Sequence, residues 1–372
     1  MWMPGCHTRT GEEEPGRVVQ TGGMARSGTT DAREPAQEIL HRAARIEDSF
    51  HRWRERRGRK RGLVTTIVPY AGYGAPDWTR VLCRVVLARG DAPKQRADKV
   101  RGWRSFFSIP VSGESITVTA GGRSQRVSPN RGGIVDVRVE TSLTPGWHTI
   151  TLQADDAEPV TAPVFIVDPA TRFGIVSDID DTVMVTALPR PFLAAWNTFV
   201  LDEHARTPVA GMAVLYERLR REHPTAPVIY LSTGAWNVAP TLRRFLDRNL
   251  YPSGPLLLTD WGPTHDRWFR SGQEHKRDSL GRLAEEFPEM KWLLIGDDGQ
   301  HDEAIYGAFA EAHPENVAAI AIRQLSTGEA VLAGGRSTAT SSDKASPARW
   351  FYGQNGAALS EQLVDAHLLT VQ

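Results

Sequence analysis

The spacing of hydrophobic residues divides the chain into regions with different periods. Between residues 62 and 168, short segments rich in Val, Ile and Thr are separated by Gly, Pro, Asn or Asp. These segments are TTIVPY, TRVLCRVVLA, SITVTA, GGIVDVRVE, WHTITLQA and TAPVFIVD. Alternation with a period of two at this spacing is typical of a β-sandwich. We therefore predict a β-rich, sandwich-like domain over residues 62–168, in which Tyr73-Gly74 is interpreted as a turn.

After residue 168 the pattern alternates between strands and helices. Buried strands are predicted at 173–177, 228–232, 255–259, 292–296 and 317–322, with helices near 209–222, 237–248, 276–287 and 301–312. This alternation indicates an α/β fold with a parallel sheet and crossover helices, which we assign to residues 169–324. Residues 325–372 are predicted to be a linker rich in Gly, Ser, Thr and Ala, followed by a helix near 356–369.

The N-terminal region has a different composition. Residues 1–34 lack hydrophobic periodicity and are predicted to be a disordered tail, within which we interpret Met24 as an alternative start of translation. Residues 35–61 are predicted to form an amphipathic helix with a basic end, RWRERRGRKRG. The apolar residues at helical spacing are Ile46, Phe50 and Trp53. This combination predicts contact with an anionic membrane surface through residues 46–61, although a helix packed on its own domain also fits the pattern.

Composition and charge narrow the functional classes. The chain is 40% hydrophobic and 24% charged, with a formal net charge of zero, which is ordinary for a globular protein. The balanced charge provides no electrostatic reason to expect a nucleic-acid partner. Cys6 and Cys83 do not make a disulfide framework, and no apolar run reaches the roughly 20 residues needed to span a bilayer. We therefore predict a cytoplasmic protein with a peripheral membrane contact.

Side chains suited to phosphate or cation chemistry cluster where the predicted parallel strands end. They are Asp178, Asp180 and Thr182 after the first strand, Ser232 at the end of the second, Lys276 at the start of the helix before the fourth, and Asp297, Asp298 and Asp302 after the fourth. Two carboxylates about 4 Å apart repel by roughly 4 kcal/mol at a protein surface, so a proton or a cation must compensate. Taken singly, each residue also fits a helix cap or a surface position. Together, at the same edge of a parallel sheet, they predict an active site.

The motifs around these residues resemble a known superfamily. The segment DIDDT at 178–182 matches the DxDxT signature of the haloacid dehalogenase superfamily, and YLSTGAWN, HK and IGDDGQHD match its second, third and fourth motifs. More narrowly, residues 160–325 resemble the phosphatidate phosphatase catalytic domain family first named for an actin-patch phosphatase. The segments carrying this likeness are SDIDDTVMVT, YLSTGAWN, GPLLLTDWGPT and IGDDGQHDEAIY. The segments YAGYGAPDW and FFSIPV of the β-rich domain show a weaker likeness to bacterial members.

The resemblance implies a haloacid dehalogenase-type, Rossmann-like sheet and a Mg²⁺-dependent phosphatase that acts through an aspartyl-phosphate intermediate, with a phosphatidate-like lipid as the expected substrate. The expected catalytic residues are Asp178 as nucleophile, Asp180 as general acid and base, Thr182, Ser232 as donor to a phosphate oxygen, and Lys276 as partner of Asp178 and phosphate.

The predicted metal is Mg²⁺, because carboxylate and phosphate oxygens suit this hard cation and the chain has no Cys/His cluster to favour zinc. The predicted metal site comprises Asp178, Asp180, Asp297 and Asp302, with Asp178 and Asp297 as the expected side-chain ligands. Asp298 competes with Asp302 for the supporting role, and the sequence leaves this choice open.

Alternatives remain at this point. The stretches from Thr182 to Ser232 and from Ser232 to Lys276 are too short for a substantial cap domain, which favours a large substrate such as a membrane lipid. A phosphoprotein, a nucleic-acid end or a role as a non-catalytic phosphate-binding scaffold are the alternatives. A phosphoacceptor of the receiver type would place its aspartate after the third strand, where Asp260 lies, but DxDxT and the acids after the fourth strand favour a turnover enzyme.

Overall fold

The structure is a computed structural model that describes residues 53–89, 109–155, 157–185, 206–259, 265–299, 301–332 and 348–371. Side chains at 265–271 are not among the described parts. The predicted tail at 1–34 and most of the predicted helix at 35–61 lie outside the described residues. From His51 onward the chain forms one compact unit. Across the described ranges, no helix has the length and apolar character needed to cross a membrane.

The first half of this unit is rich in β-strands. The strands described here are β1 (Leu63–Pro69), β2 (Gly72–Ala75), β3 (Trp78–Arg89), β4 (Ile109–Pro110), β5 (Ile116–Ala120), β6 (Arg123–Val127), β7 (Ile134–Glu140), β8 (Gly146–Ala154) and β9 (Val160–Ile166). Hydrogen bonds join them in the order β1-β3-β2-β9-β8-β5-β6, with β4 and β7 also paired with β3. All six predicted strands are present, whereas their arrangement as a sandwich stays a prediction.

The interpretation of Tyr73-Gly74 as a turn is wrong. Both residues lie in β2, which is antiparallel to β3 and parallel to β9. Tyr73 is fully buried. A Cβ atom at Gly74 would lie 2.2 Å from the carbonyl oxygen of Trp78, so glycine is required by a close approach of two backbones. Sequence reasoning took this glycine as a turn signal because the approaching strand cannot be seen in the sequence.

The second half alternates strands and helices. Its strands are β10 (Phe173–Ser177), β11 (Met184–Val185), β12 (Thr207–Pro208), β13 (Val228–Ala235), β14 (Leu256–Thr259), β15 (Lys291–Asp297), β16 (Val317–Arg323) and β17 (Trp350–Gly353). The labelled helices are α1 (Met212–Glu222), α2 (Ala239–Arg248), α3 (His265–Glu286), α4 (Asp302–Ala312), α5 (Thr327–Leu332) and α6 (Gly356–Asp365). The five predicted strands are therefore confirmed, with small differences at their ends.

The parallel sheet places the site residues at a topological switch point. Its strand order is β14-β13-β10-β15-β16-β17, and all neighbouring strands run parallel. The chain moves outward from β10 through β13 to β14 and then returns to the other side of β10 at β15. In sheets of this kind, a ligand crevice opens at the carboxyl ends of the strands on either side of the reversal. Asp178 directly follows β10 and Asp297 ends β15, so both lie at this point.

Several predicted boundaries in this half need correction. Helix α3 begins at His265, so Lys276 lies within the helix and does not open it. The predicted linker contains the short helix α5, and β17 adds a sixth strand that pairs with β16. Four residues after a linker are too few to show a strand period, which is why β17 was missed. The described residues between Asp178 and Lys276 hold no additional domain, while residues 186–205 and 260–264 lie outside the description.

The basic segment, residues 53–61, packs on the β-rich half. Residues 53–60 are helical, and a Cβ atom at Gly58 would lie 2.9 Å from Ile109 Cδ1. Arg59 pairs with Glu55 at 3.3 Å and also with Glu114. Arg59 is therefore engaged within the protein. The basic residues of this segment that remain exposed are Arg56, Arg57, Lys60 and Arg61.

Candidate active site

The loop after β10 turns sharply and carries the first carboxylates. The Asp178 N–H donates to the carbonyl of Ile295 at 2.8 Å, which ties the start of the loop to β15. Ser177 Oγ donates to the carbonyl of Asp178 at 2.6 Å. Asp181 has φ 57°, a left-handed conformation that Asp tolerates better than most residues. Its N–H donates to the carbonyl of Met184, so the loop closes on itself directly after Asp180.

Lys276 connects the first and fourth motifs. Its Nζ lies 2.7 Å from Asp178 Oδ1 and 2.5 Å from Asp302 Oδ1. All three side chains are at most 7% exposed. Charge-assisted hydrogen bonds of this length are stronger than neutral ones, and low exposure limits screening by solvent. The ammonium group therefore holds two carboxylates that repel each other.

Ser232 contacts the second aspartate of the first motif. Its Oγ donates to Asp180 Oδ2 at 2.9 Å and accepts from the Gly234 N–H, also at 2.9 Å. The register between β13 and β14 is irregular between Leu231 and Ala235, so the chain leaves the regular ladder at Ser232. This departure from strand geometry allows the serine hydroxyl to reach the loop after β10.

The acids after β15 separate into two groups. Carboxylate oxygens of Asp178, Asp297 and Asp302 all lie within 4.8 Å of one another. A Cβ atom at residue 296 would lie 2.6 Å from Asp302 Oδ2, so Gly296 leaves the space that Asp302 occupies. By contrast, Asp298 Oδ1 accepts from the Leu325 N–H at 2.8 Å. The structure thus brings Asp302 into the cluster and engages Asp298 with the segment after β16.

Burial and mutual repulsion shift the protonation of these groups. Burial raises the pKa of Asp178 well above its usual range, Lys276 opposes this rise, and Asp302 adds to it. Burial, reinforced by Asp302, likewise raises the pKa of Asp297 well above its usual range. Burial by itself would lower the pKa of Lys276, but Asp178 and Asp302 outweigh this effect and raise it. The lysine therefore remains charged, while Asp178 and Asp297 are harder to ionise than ordinary aspartates.

Asp180 has a milder environment. Burial raises the pKa of Asp180, and the hydrogen bond from Ser232 is the strongest effect that opposes the rise. Asp180 is also half-buried, whereas Asp178 is only 2% exposed. A carboxyl group with a raised pKa can hold a proton, give it up to a neighbouring oxygen and take one back.

The cluster contains oxygen atoms suited to a cation. Within the described residues, Asp178 Oδ2, Asp180 Oδ1, Asp302 Oδ2 and Thr182 Oγ1 are buried without a hydrogen-bond partner. Leaving one such group unsatisfied costs about 1–3 kcal/mol, and more when it is charged. All atoms in the cluster that could bind a metal are hard oxygen atoms, and three carboxylates approach one another closely enough to share an ion. The residues present therefore fit Mg²⁺.

Comparison with known proteins finds a match over the part of the chain that carries these residues. Residues 173–324 match the family model of the phosphatidate phosphatase APP1 catalytic domain. The matched range contains every predicted site residue.

Two curated proteins of yeasts are similar over part of their length. Over 195 residues, 50% of the chain, it is 27% identical to phosphatidate phosphatase APP1 of Saccharomyces cerevisiae. Over 153 residues, 41% of the chain, it is 28% identical to an uncharacterized protein of Schizosaccharomyces pombe. These matches span 32% and 25% of the two proteins. The chain therefore corresponds to about a third or less of the relatives it matches.

Among solved structures, a carbohydrate acetylesterase from Xanthomonas citri aligns over 70% of this chain and 68% of its own, at 10% identity. The TM-score is 0.26, and at that level the likeness supports no conclusion about fold or function.

Within the matched range, two buried arginines were not foreseen from the sequence. Arg323 ends β16 and donates to the carbonyl of Asp181 at 2.7 Å and to Glu329 at 2.6 Å, which braces the loop after β10. Its position at the end of an apolar strand was an available signal. Arg206 is also buried. After the larger effects of burial, Ser232 and Lys276, its positive charge opposes the rise in the pKa of Asp180. No sequence pattern marks Arg206.

Proposed function

We propose that this protein is a Mg²⁺-dependent phosphatase of the haloacid dehalogenase type that hydrolyses a lipid phosphate such as phosphatidate. The observation that carries the proposal is the buried Lys276, which holds Asp178 and Asp302 together at the switch point of a parallel sheet. The similarity of residues 173–324 to the phosphatidate phosphatase APP1 catalytic domain supports the reaction and the class of substrate.

Asp178 is the proposed nucleophile. A carboxylate oxygen of Asp178 would attack phosphorus, a new oxygen–phosphorus bond would form, and the bond from phosphorus to the lipid oxygen would break. Lys276 keeps the attacking carboxylate in place through a 2.7 Å contact and contributes positive charge as the phosphoryl group approaches. An aspartyl-phosphate and the free lipid alcohol would result.

Asp180 is the proposed acid and base. In the first step it would donate its proton to the leaving lipid oxygen. In the second step it would take a proton from water, whose oxygen attacks phosphorus and releases phosphate from Asp178. The raised pKa of Asp180 suits a group that must first give up a proton and then take one back. Ser232 Oγ donates a hydrogen bond to Asp180 Oδ2 at 2.9 Å in this structure. When substrate binds, it would donate to a phosphate oxygen instead.

The metal would be held by Asp178, Asp297 and Asp302, whose oxygens already lie within 4.8 Å of one another, beside Asp180. When bound, Mg²⁺ would withdraw charge from the phosphoryl oxygens and make phosphorus easier to attack. The chain's own contribution is to hold these acids together before the ion arrives, through Lys276 and the fixed ends of β10 and β15.

A lipid substrate requires contact with a membrane surface. We propose a cytoplasmic protein that binds the membrane peripherally through the basic segment, because this segment carries four exposed cationic side chains.

The direct test measures release of inorganic phosphate from phosphatidate in mixed vesicles, with Mg²⁺, with a chelator, and with Mg²⁺ restored. Hydrolysis that is lost on chelation and recovered on restoration is expected. Hydrolysis of phosphopeptides or nucleic-acid ends, but not of phosphatidate, would keep the phosphatase and overturn the lipid assignment. Failure to hydrolyse any of these substrates with Mg²⁺ present would overturn the enzymatic proposal and favour a phosphate-binding scaffold.

A further inference from the structure

A tyrosine of the β-rich half reaches the loop that carries Ser232. Tyr70 follows β1, and its hydroxyl donates to the carbonyl of Trp236 at 3.1 Å. The two rings are stacked, with centroids 4.8 Å apart and an angle of 24° between their planes. Tyr70 and Trp236 are 7% and 5% exposed. The contact is therefore a desolvated hydrogen bond combined with ring packing, which makes it geometrically specific.

The segment held by this contact, residues 232–236, comprises the irregular end of β13 and the residue that follows it, and is called the serine loop here. Between Leu231 and Ala235 it is not paired in regular register with β14. Side chains bind its carbonyls instead: Thr259 Oγ1, at the end of β14, shares its one proton between the carbonyls of Thr233 at 3.0 Å and Gly234 at 3.1 Å. Tyr70 supplies a second donor from a different part of the chain. The position of Ser232 thus depends on side chains that bind the loop backbone.

Tyr70 is itself fixed. Its N–H donates to the carbonyl of Leu82 at 3.0 Å, so its backbone is joined to β3. The β-rich half is also joined to α3, the helix that carries Lys276. Arg80 lies 2.7 Å from Asp136 and 2.5 Å from Glu286, and Arg282 lies 2.9 Å from Asp136. These ion pairs join the β-rich half to α3, and the Tyr70 hydrogen bond joins the β-rich half to the serine loop.

We propose that Tyr70 is a positioning residue for the proposed reaction: it holds the serine loop so that Ser232 points toward Asp180 and the phosphate. This assigns the β-rich half a role in catalysis beyond stability, and it rests on the proposed function of Ser232. Without the hydroxyl, the carbonyl of Trp236 keeps the Ala239 N–H as a donor, but the serine loop loses its hydrogen bond to the β-rich half and gains alternative positions. Ser232 would then occupy its productive position for a smaller fraction of the time.

The test compares Tyr70→Phe with Tyr230→Phe. Both changes keep the ring, and each removes a hydroxyl that donates to a main-chain carbonyl. The Tyr230 hydroxyl donates to the carbonyl of Pro252 at 2.8 Å. With p-nitrophenyl phosphate and Mg²⁺, we expect Tyr70→Phe to lower kcat roughly three- to tenfold, the range for one lost hydrogen bond, with KM little changed. Tyr230→Phe should lower Tm comparably and change kcat less than twofold. Circular dichroism checks that both variants are folded.

A double-mutant cycle with Ser232→Ala shows whether Tyr70 acts through the serine. We expect Tyr70→Phe to have little further effect once Ser232 is alanine. An equal loss of kcat in both backgrounds, or a kcat for Tyr70→Phe equal to that of Tyr230→Phe, would overturn the proposal.

Amide hydrogen exchange tests the positioning without any activity. We expect exchange at residues 232–236 to be faster in Tyr70→Phe than in wild type, and unchanged in Tyr230→Phe. Unchanged exchange in Tyr70→Phe would overturn the positioning role. If wild type hydrolysed no phosphate ester and exchange still rose, the proposed function would fail while the positioning of the loop would stand.

Discussion

Two clusters of charge in this protein, one buried and one partly exposed, are built in different ways. The interface cluster, between the β-rich half and α3, contains two arginines and two acids: Arg80, Arg282, Asp136 and Glu286. Each acid contacts at least one arginine at 3.0 Å or less. The site cluster contains four acids around one lysine: Asp178, Asp180, Asp297, Asp302 and Lys276. Several of its carboxylate oxygens are buried without a hydrogen-bond partner in the described structure.

The difference separates a structural role from a chemical one. A balanced cluster needs nothing more, because each charge is compensated by a neighbour and the pairs join two parts of the fold. An excess of buried negative charge is unfavourable for the protein alone, and a bound cation would compensate it. Charge balance therefore distinguishes the candidate active site from the interface cluster.

The largest effect is expected from Asp178→Asn. The amide cannot attack phosphorus, so hydrolysis should be abolished. Because one of the crowded carboxylates becomes neutral, Tm without Mg²⁺ should be equal to or higher than that of wild type. Phosphate release and thermal unfolding measure the two outcomes. Substantial turnover by the variant would show that Asp178 is not the nucleophile. A clearly lower Tm would contradict the inference that the crowded carboxylates destabilise the protein without Mg²⁺.

Asp180→Asn should have the next largest effect. Loss of proton transfer is worth about 10² to 10⁴ in rate, and the loss should be greatest with an ester whose leaving group is a poor one. Comparing a lipid phosphate with p-nitrophenyl phosphate measures this dependence, because p-nitrophenolate leaves without needing a proton. An equal loss on both substrates would argue against an acid role.

In the interface cluster, Asp136→Asn should lower stability and leave chemistry alone. It weakens charged hydrogen bonds to Arg80 and Arg282, and partial solvent access reduces the effect, so we expect the free energy of unfolding to fall by about 1–3 kcal/mol. Asp155→Asn, which removes an exposed pair with Arg126 at 2.9 Å, is the matched control and should cost less than about 1 kcal/mol. Denaturant unfolding measures both variants. A large fall in kcat for folded Asp136→Asn would show that the balanced cluster also serves the reaction.

The smallest effect concerns charge that is exposed and not buried. Replacing Arg56, Arg57, Lys60 and Arg61 with Gln should lower activity on anionic phosphatidate vesicles several-fold, since each contact contributes at most about 1 kcal/mol. Activity on p-nitrophenyl phosphate should not change, and added salt should reduce the difference on vesicles.

The control for this variant replaces the same amount of charge elsewhere. Its four exposed positions are Arg123, Arg248, Arg277 and Lys291. If the control loses as much vesicle activity as the variant of the basic segment, general charge and not this segment drives membrane contact.

Much of the fold could be predicted because its signals are local. Five parallel strands and six strands of the β-rich half show in the sequence as short apolar runs with turn residues between them. Among the elements that were missed, β17 has four residues, and β6 is exposed along much of its length, so both carry weak local signals. Tyr73-Gly74 was misinterpreted because glycine is favoured both in turns and where two strands approach closely. Only the position of the neighbouring strand distinguishes these two cases.

By itself, the sequence determined which residues end the strands and thus which chemistry is available: acids after β10 and β15, a serine at the end of β13, and a lysine on the helix before β15. Tertiary structure decided which of these meet. Lys276 reaches Asp178 across 98 positions in the chain, and Tyr70 reaches Trp236 across 166. Asp302, and not Asp298, lies in the acid cluster because α4 begins at Asp302, beside the end of β15. Such contacts depend on strand order, register and helix packing, which couple distant segments and leave no local pattern in the chain.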